Sequence, residues 1–468
     1  MARQKIERFH CTELGNAKRL VARHGADLRY VAGQGWLAFD GVCWRRDAAG
    51  EATRRAKSIA REVLVEASRC DDDHRRGELR AWSAKCEKAA VIAATVTLAA
   101  TEPEVAIDAS AFNLDGWLLN VENGTIDLRT GELREHRRED LITKLAPVAF
   151  DASATCPTWE AFLGRIFAGN AALTSYVQRV AGYMLTGSTR EHCLFFLFGD
   201  GSNGKSTFAN TLARLMGDFA VAAPRGLLIS KRYEAHPTEL VTLHGERMAL
   251  CAEIDGGQSF DESKLKALCS DEAISCHRMH EDYWTYVPSH KLVISGNRKP
   301  SVRGTDLGMW RRLRVIPFGI TIPPEERDRE LLDKLGSELP GILTWAMQGC
   351  LEWQRIGLGD PPEVVEATET YREEQDVVAG FVDEHLDLVP DGRISRQDIQ
   401  RHYLRWIENN NIEERLPAVE LYARLRAKGL VEVKVRGVLG FAGARLKSHV
   451  ALDSFADSNV RPLSRGHR

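Results

Sequence analysis

The sequence predicts an α/β protein: a phosphate-loop domain, preceded by a mixed α+β region and followed by a winged-helix-like module. Three observations carry this reading. The stretch FGDGSNGKST, Phe198 to Thr207, lies between the strand-length apolar run CLFFLF and a helical stretch with Phe208, Leu212, Leu215 and Met216 on one face, closed by Gly217. Further short apolar runs, MALCA and KLVIS, end in the polar residues EID and GN and extend this unit into a βαβ series. Beyond about residue 376, helical stretches are followed by the short basic hairpin VEVKVRGVLGF, which suggests a winged-helix module.

With 468 residues the chain has room for about two to four domains. Its 44% hydrophobic and 28% charged residues are an ordinary globular composition. No long apolar run is present, so no membrane-spanning helix is expected. The opening MARQKIERFHCTELG lacks the apolar segment of a secretory signal. Ten cysteines without CxxC pairs favour reduced thiols in a cytoplasm over a disulfide framework. The formal charge of −3 gives no global sign of nucleic acid, so any such contact falls to local basic stretches.

In chain order, GNAKRLVARHGADLRYV reads as a helix stopped at Gly25 and then a strand. GWLAFDGVCW and WLLNVENGTIDLRTGEL read as hairpins, the latter with Asn123-Gly124 and Thr130-Gly131 as turns. Between them, residues 51–100 read as helical. These make residues 1–150 the α+β region. Cys156-Pro157 opens helices that run up to the strand at 193, and residues 151–325 form the phosphate-loop domain. Residues 326–375 read as a helical linker or lid, broken at Pro340 and at Pro361-Pro362. Residues 376–450 are the winged-helix-like, DNA-binding part, and 451–468 a flexible tail.

The spacing Gly199-x-x-x-x-Gly204-Lys205-Ser206 is that of a loop whose backbone N–H groups cradle phosphates, with the lysine on the β/γ-phosphates and the hydroxyl on Mg²⁺. The candidate nucleotide site is therefore Gly199, Asp200, Gly201, Ser202, Asn203, Gly204, Lys205, Ser206 and Thr207. Hydrolysis also needs a carboxylate at a neighbouring strand tip. Glu253 comes first after the buried run MALCA, with Asp255 two residues on. Asn297, at the end of KLVIS, is placed to orient an attacking water. Arg311 and Arg312, beside the strand LRVIPF, are candidates for a finger reaching a neighbouring subunit; in GTPases such fingers act by roughly 10³–10⁵ in rate. ISCHRMHEDYWTYV reads as a hairpin with Arg278 and His280 near its tip, and Asp261 as a helix cap. Cys269, Cys276, His277 and His280 lack the paired spacing of a zinc site. Seven Lys or Arg from Ser289 to Arg314 face one acid, Asp306, and seven from Leu421 to Lys447 face Glu432 alone; both stretches are candidate phosphate contacts.

In this order, GDGSNGKST, ALCAEID, LKALCSDEAISCHRMHEDYWTYVPSHKLVISGNRKP and GMWRRLRVIPF resemble the superfamily-3 helicases. The likeness is closest to the helicase part of the phage and plasmid primase family, which includes the poxvirus D5-type NTPase. Upstream, LGNAKRLVARHGADLRYV and WLLNVENGTIDLRTGELREH are similar to that family's N-terminal region, and residues 376–447 to its C-terminal end. The resemblance implies an AAA+-like domain in a hexameric ring that moves 3′ to 5′ on single-stranded or forked DNA, using ATP and Mg²⁺. It implies that Lys205 and Ser206 bind nucleotide and metal, that Glu253 is the second acidic motif and Asn297 the sensor. Arg312 is then the first choice of finger and Arg311 the second, and Arg278 and His280 track DNA in the pore. This chain reads CSDE, Cys269 to Glu272, where the family usually reads Thr-Gly-Gly-Asp, and residues 1–150 lack the paired carboxylates of a primase.

The function expected is an ATP-dependent helicase for replication of a phage, prophage or plasmid element, in a bacterial host or phage-infected cell, with a separate primase or other replication proteins as partners. An ATP-switched origin-binding or helicase-loading protein is the alternative. A phosphate-loop kinase acting on a small molecule is a further reading, and the basic run after Asn297 counts against it. Asn297-Arg298-Lys299-Pro300 is not the Asn/Thr-Lys-x-Asp signature of a GTPase.

Overall fold

Five parallel strands, β1 (Leu194–Phe198), β2 (Ala220–Ala222), β3 (Met248–Cys251), β4 (Lys291–Gly296) and β5 (Leu313–Pro317), form a sheet in the order β5-β1-β4-β3-β2. The computed structural model describes residues 9–230, 238–252, 258–277, 283–302, 307–410, 412, 415–435 and 437–447. Like other all-parallel sheets, this one is buried on both faces. Alternation along β1 shows it. Phe195 and Leu197 enter one core with Trp159, Phe208 and Trp353, while Leu194 and Phe196 enter another with Leu243, Leu265, Trp310 and Tyr371.

Five helices position the site: α1 (Pro157–Ile166), α2 (Ala171–Leu185), α3 (Lys205–Met216), α4 (Leu339–Ile356) and α5 (Pro362–Glu374). Pro157 and Pro362 occupy first-turn positions, where a missing N–H costs nothing. Pro340 does the same for α4; the interruption lies at Glu338, not at the proline, as the sequence had suggested. Helices α2 and α4 cross with their backbones nearly touching. A Cβ on Gly182 would lie 2.0 Å from Cys350 N, and one on Gly349 would lie 2.1 Å from Gln178 O.

The N-terminal elements follow the turn signals. A helix, Glu13–His24, is capped by Thr12 Oγ1 (3.0 Å to Gly15 N) and ends at Gly25. A three-stranded antiparallel sheet and helices Glu51–Ser68, Asp73–Cys86 and Ala89–Ala99 follow, packed around Leu20, Ile59, Val63, Leu79 and Trp82. A second meander, Leu118–Val121, Gly124–Asp127 and Glu132–Arg134, buries Leu119 and Ile126 in the same core as Trp159 and Phe208. The chain's first 150 residues thus feed three cores, one of them shared with the parallel sheet.

Two buried cations weld these parts together at the carboxyl end of α2. Arg247 donates to the carbonyls of Leu185 and Leu118, the latter at 2.6 Å, and Lys291 Nζ donates to those of Thr186 and Ser289. A helix carboxyl terminus carries negative partial charge, which favours cations there. Burial holds Arg247 down to about 9 and pushes Lys291 well below the ordinary lysine range, with the Arg247 charge adding to the latter.

The C-terminal elements run helix Val377–His385, strand Leu386–Ser395, helices Arg396–Asn409 and Ala418–Ala427, and strands Val431–Val435 and Val438–Leu446, around a core of Phe381, Ile399, Trp406 and Phe441. The last strand lies between the other two. Among the described residues, no helix is long and apolar enough to cross a membrane.

Candidate nucleotide-binding site

Strand β1 ends at Phe198, and Gly199 must be glycine. A Cβ there would lie 2.2 Å from the carbonyl oxygen of Phe318 and 2.4 Å from Asn203 Nδ2. The loop that follows is held from the side of β5. Asn203 Nδ2 donates to Phe318 O at 3.0 Å, and Ser202 O accepts from Ile322 N at 2.8 Å. Ser202 (φ 62°) and Gly204 (φ 85°) turn the chain through the left-handed region into α3. A side chain at Gly204 would strike Ile166 of α1, with Cβ 2.7 Å from its Cγ2. Because Gly204 has no side chain to cap α3, the first-turn N–H groups meet no capping oxygen from it. Asp200, Gly201, Ser202 and Ser206 are exposed, Thr207 is half-buried, and Asn203 and Lys205 are buried.

Among the described residues, the Lys205 ammonium meets the carbonyls of Gly199 (2.6 Å) and Asp200 (3.3 Å) and the amide oxygens of Asn203 and Asn297 (both 2.8 Å). Asn297 arrives there because β4 lies directly beside β1, with Gly296 opposite Phe198. On its other side β4 pairs with β3, Ile294 opposite Cys251. The strand that carries the amide therefore lies between the strand of the phosphate loop and the strand that leads to the acids. Ligands of open parallel sheets bind outside these carboxyl ends.

The structure does not bring all the expected residues together. Glu253 and Asp255 follow β3 in sequence and lie outside the described residues, as do Arg278 and His280. The stem of their hairpin is described: Ile274–Cys276 pairs with Trp284–Tyr286, Cys276 opposite Trp284. Arg311 and Arg312 precede β5, at the amino end of the sheet, where Arg312 O accepts from Leu194 N at 2.9 Å. At about 3.3 Å per residue, the length of β5 separates them from the phosphate loop by roughly 16 Å. Arg312 Nη1 donates to Gly308 O at 2.7 Å, while Arg311 is exposed and lines a groove of about 530 Å³ with Arg314, Val365 and Thr368.

Several cations of the two basic stretches are buried or paired with acids of the same chain. Lys291 is buried, Lys299 pairs with Glu374 (2.6 Å) and Arg314 with Asp360 (2.6 Å). In the second stretch, Arg424, Arg426, Lys428 and Arg445 pair with Glu420, Glu432, Asp376 and Asp387. Sequence reasoning also missed the carbonyl of Phe318 as the seat of the phosphate loop. Its only signal was position, immediately after a strand adjacent to β1.

Residues 17–168 match a family model described as D5 N terminal like, and residues 197–312 match a family described as of unknown function (DUF5906). A protein of Acanthamoeba polyphaga mimivirus, provisionally named helicase L207/L206, is 24% identical over 325 residues, which is 64% of this chain and 34% of the viral protein. Protein 022R of Frog virus 3 (isolate Goorha), also provisionally named a helicase, is 25% identical over 272 residues, 54% of this chain and 28% of its own. The chain is thus similar over residues 17–168 to the D5 N terminal like family and, over 64% and 54% of its length, to two viral proteins that carry helicase names. The chain spans about a third of the length of the curated relatives it matches, 34% and 28% for these two. Among solved structures, the A form apo structure of the NrS-1 C-terminal region is 10% identical, covers 94% of this chain and 100% of that one, and aligns with a TM-score of 0.48.

Proposed function

We propose that this chain is an ATP-dependent DNA helicase, an AAA+-like motor that works as a ring of six, moves 3′ to 5′, and serves replication of a phage, prophage or plasmid element. The observation that carries the reading is the contact between Lys205 and Asn297 at the tips of two adjacent parallel strands. It puts a cation and an amide at the mouth of a glycine loop whose helix offers first-turn N–H groups, a donor set that fits the phosphates of a nucleotide.

In this reading Lys205 binds the phosphates with the loop Gly199–Thr207, and Ser206 and Glu253 hold Mg²⁺, with Asp255 as the second acid. When bound, ATP supplies the phosphoanhydride bond whose cleavage drives each step. Asn297 orients the attacking water. Arg312, with Arg311 as second choice, lies at the wrong end of the sheet to serve its own chain and acts on the next one. Arg278 and His280 contact single-stranded DNA in the pore, and the C-terminal helices and three-stranded sheet act as a winged-helix-like DNA contact. A base-pair step resists opening by roughly 1.4 kcal/mol on average, which staged hydrolysis around a ring can meet. A separate primase or other replication proteins would act with it in the cytoplasm of the host cell.

Strand displacement from forked DNA with a 3′ or a 5′ loading tail tests this, run beside Lys205→Ala. ATP-dependent displacement from the 3′-tailed fork alone, lost in the variant, is expected. DNA binding without displacement by the native chain would overturn the motor and point to an ATP-switched origin-binding or loading protein.

A further inference from the structure

The segment that follows Asn297 is clamped to the end of α5, and α5 leads directly into the C-terminal module. Lys299 Nζ donates to Glu374 Oε2 at 2.6 Å, the Tyr371 hydroxyl donates to the carbonyl of Pro300, and Val302 N donates to Gln375 Oε1 at 3.0 Å. The Lys299 ammonium also lies over the rings of Phe198 (4.8 Å) and Tyr371 (5.4 Å). Phe198 is the last residue of β1, immediately before Gly199, and Tyr371 is fully buried against Phe196 (6.2 Å between ring centroids). One side chain, Lys299, thus touches the strand of the phosphate loop, the exit of the Asn297 strand and the end of α5.

The connection continues through Asp376. Its Oδ1 accepts from Ala379 N at 2.9 Å and caps helix Val377–His385, while its Oδ2 accepts from Lys428 Nζ at 2.8 Å, just beyond helix Ala418–Ala427. A charge-assisted bond combined with two aromatic faces makes a firmer tether than a surface ion pair. The side chain of Lys299 is only 15% exposed.

We propose that Lys299 and Tyr371 are positioning residues: they hold the Asn297 tip against the phosphate loop and make the C-terminal module respond to nucleotide. The inference rests on the nucleotide-site reading above. Its physical content is that a displacement of the Asn297 tip must either break the contacts at 299, 300 and 302 or carry the end of α5, and with it Asp376 and the module's helices.

The test uses the full chain with Lys299→Met, Lys299→Arg and Tyr371→Phe, the last removing one hydroxyl from a buried ring. Two readouts are needed: kcat and KM for ATP, and amide hydrogen exchange across residues 377–427 with and without a slowly hydrolysed ATP analogue. The native chain should show nucleotide-dependent exchange there. Lys299→Met and Tyr371→Phe should lose that response and lower kcat by about 10-fold, with KM within about threefold, as expected when a reacting group is misplaced rather than removed. Lys299→Arg, which keeps the charge, should retain most of the response. Variants that melt at a lower temperature but respond to the analogue as the native chain does would overturn the clamp. A native chain that turns over ATP yet shows no response in 377–427 would do the same. A native chain that binds no nucleotide would overturn the site reading itself, and the clamp with it.

Discussion

Of the oxygens that meet Lys205 among the described residues, that of Asn297 comes from another strand. Removing it should leave the loop itself standing, because Asn203 and the carbonyls of Gly199 and Asp200 remain. Asn297→Ala is therefore expected to lower kcat for ATP by roughly 10²-fold, the size seen when one positioned hydrogen-bonding group is lost, with nucleotide affinity changed only a few-fold. Nucleotide binding by titration and turnover by phosphate release separate the two effects. A second residue makes a claim about stability. His290 is buried beside Lys291; burial, and then that neighbouring charge, hold its ring down to about 4. Its unfolded value is the ordinary one near 6.5, so between those values the unfolded chain binds a proton that the native chain does not. Stability is then present above about pH 6.5 and is lost as pH falls toward 4, by roughly 3 kcal/mol at most. Urea unfolding at a series of pH values should show this loss in the native chain and a shallower one in His290→Gln.

Among the elements, the α2–α4 crossing depends on two residues that have no side chain. With the added atoms of Gly182→Ala placed 2.0 Å from backbone nitrogen, the helices must separate. Overpacking of this kind costs about 1–3 kcal/mol, so a lower melting midpoint is expected for Gly182→Ala and a similar one for Gly349→Ala. Because both changes relieve themselves by the same separation, the double variant should lose less than the sum. Thermal unfolding of the three variants checks this. Elements of this size are also where the sequence was most legible. The stop at Gly25, the turns at Asn123-Gly124 and Thr130-Gly131, and the strand–loop–helix around Lys205 depend on neighbours within a few residues, and local pattern reports them. What was hidden depended on distant partners. Nothing near KLVIS says that this strand lies between β1 and β3, or that Lys291, at its start, is buried at the end of α2. Likewise the run from Leu421 to Lys447 reads as a basic face until Asp376, Asp387 and Glu420 are folded onto it.

At the scale of the whole molecule, the sheet separates the parts of the proposed reaction. Lys205 and Asn297 stand at its carboxyl end, Arg311 and Arg312 at its amino end, so one chain cannot supply both to one nucleotide. In the proposed head-to-tail ring, each interface would join the carboxyl end of one sheet to the arginines of the next. The arrangement predicts complementation. Lys205→Ala should abolish nucleotide binding, whereas Arg312→Ala should bind nucleotide with near-native affinity and hydrolyse it poorly. Mixed in equal amounts and allowed to reassemble, the two inactive proteins should regain turnover, because an interface between a chain with intact Lys205 and a neighbour with intact Arg312 is whole. Random mixing makes about a quarter of the interfaces whole in this way. Turnover of the mixture that never exceeds that of the separate proteins, with exchange of subunits demonstrated, would mean that Arg312 does not act across an interface. Recovery with Arg311→Ala in its place, and none with Arg312→Ala, would move the finger by one residue and leave the ring intact.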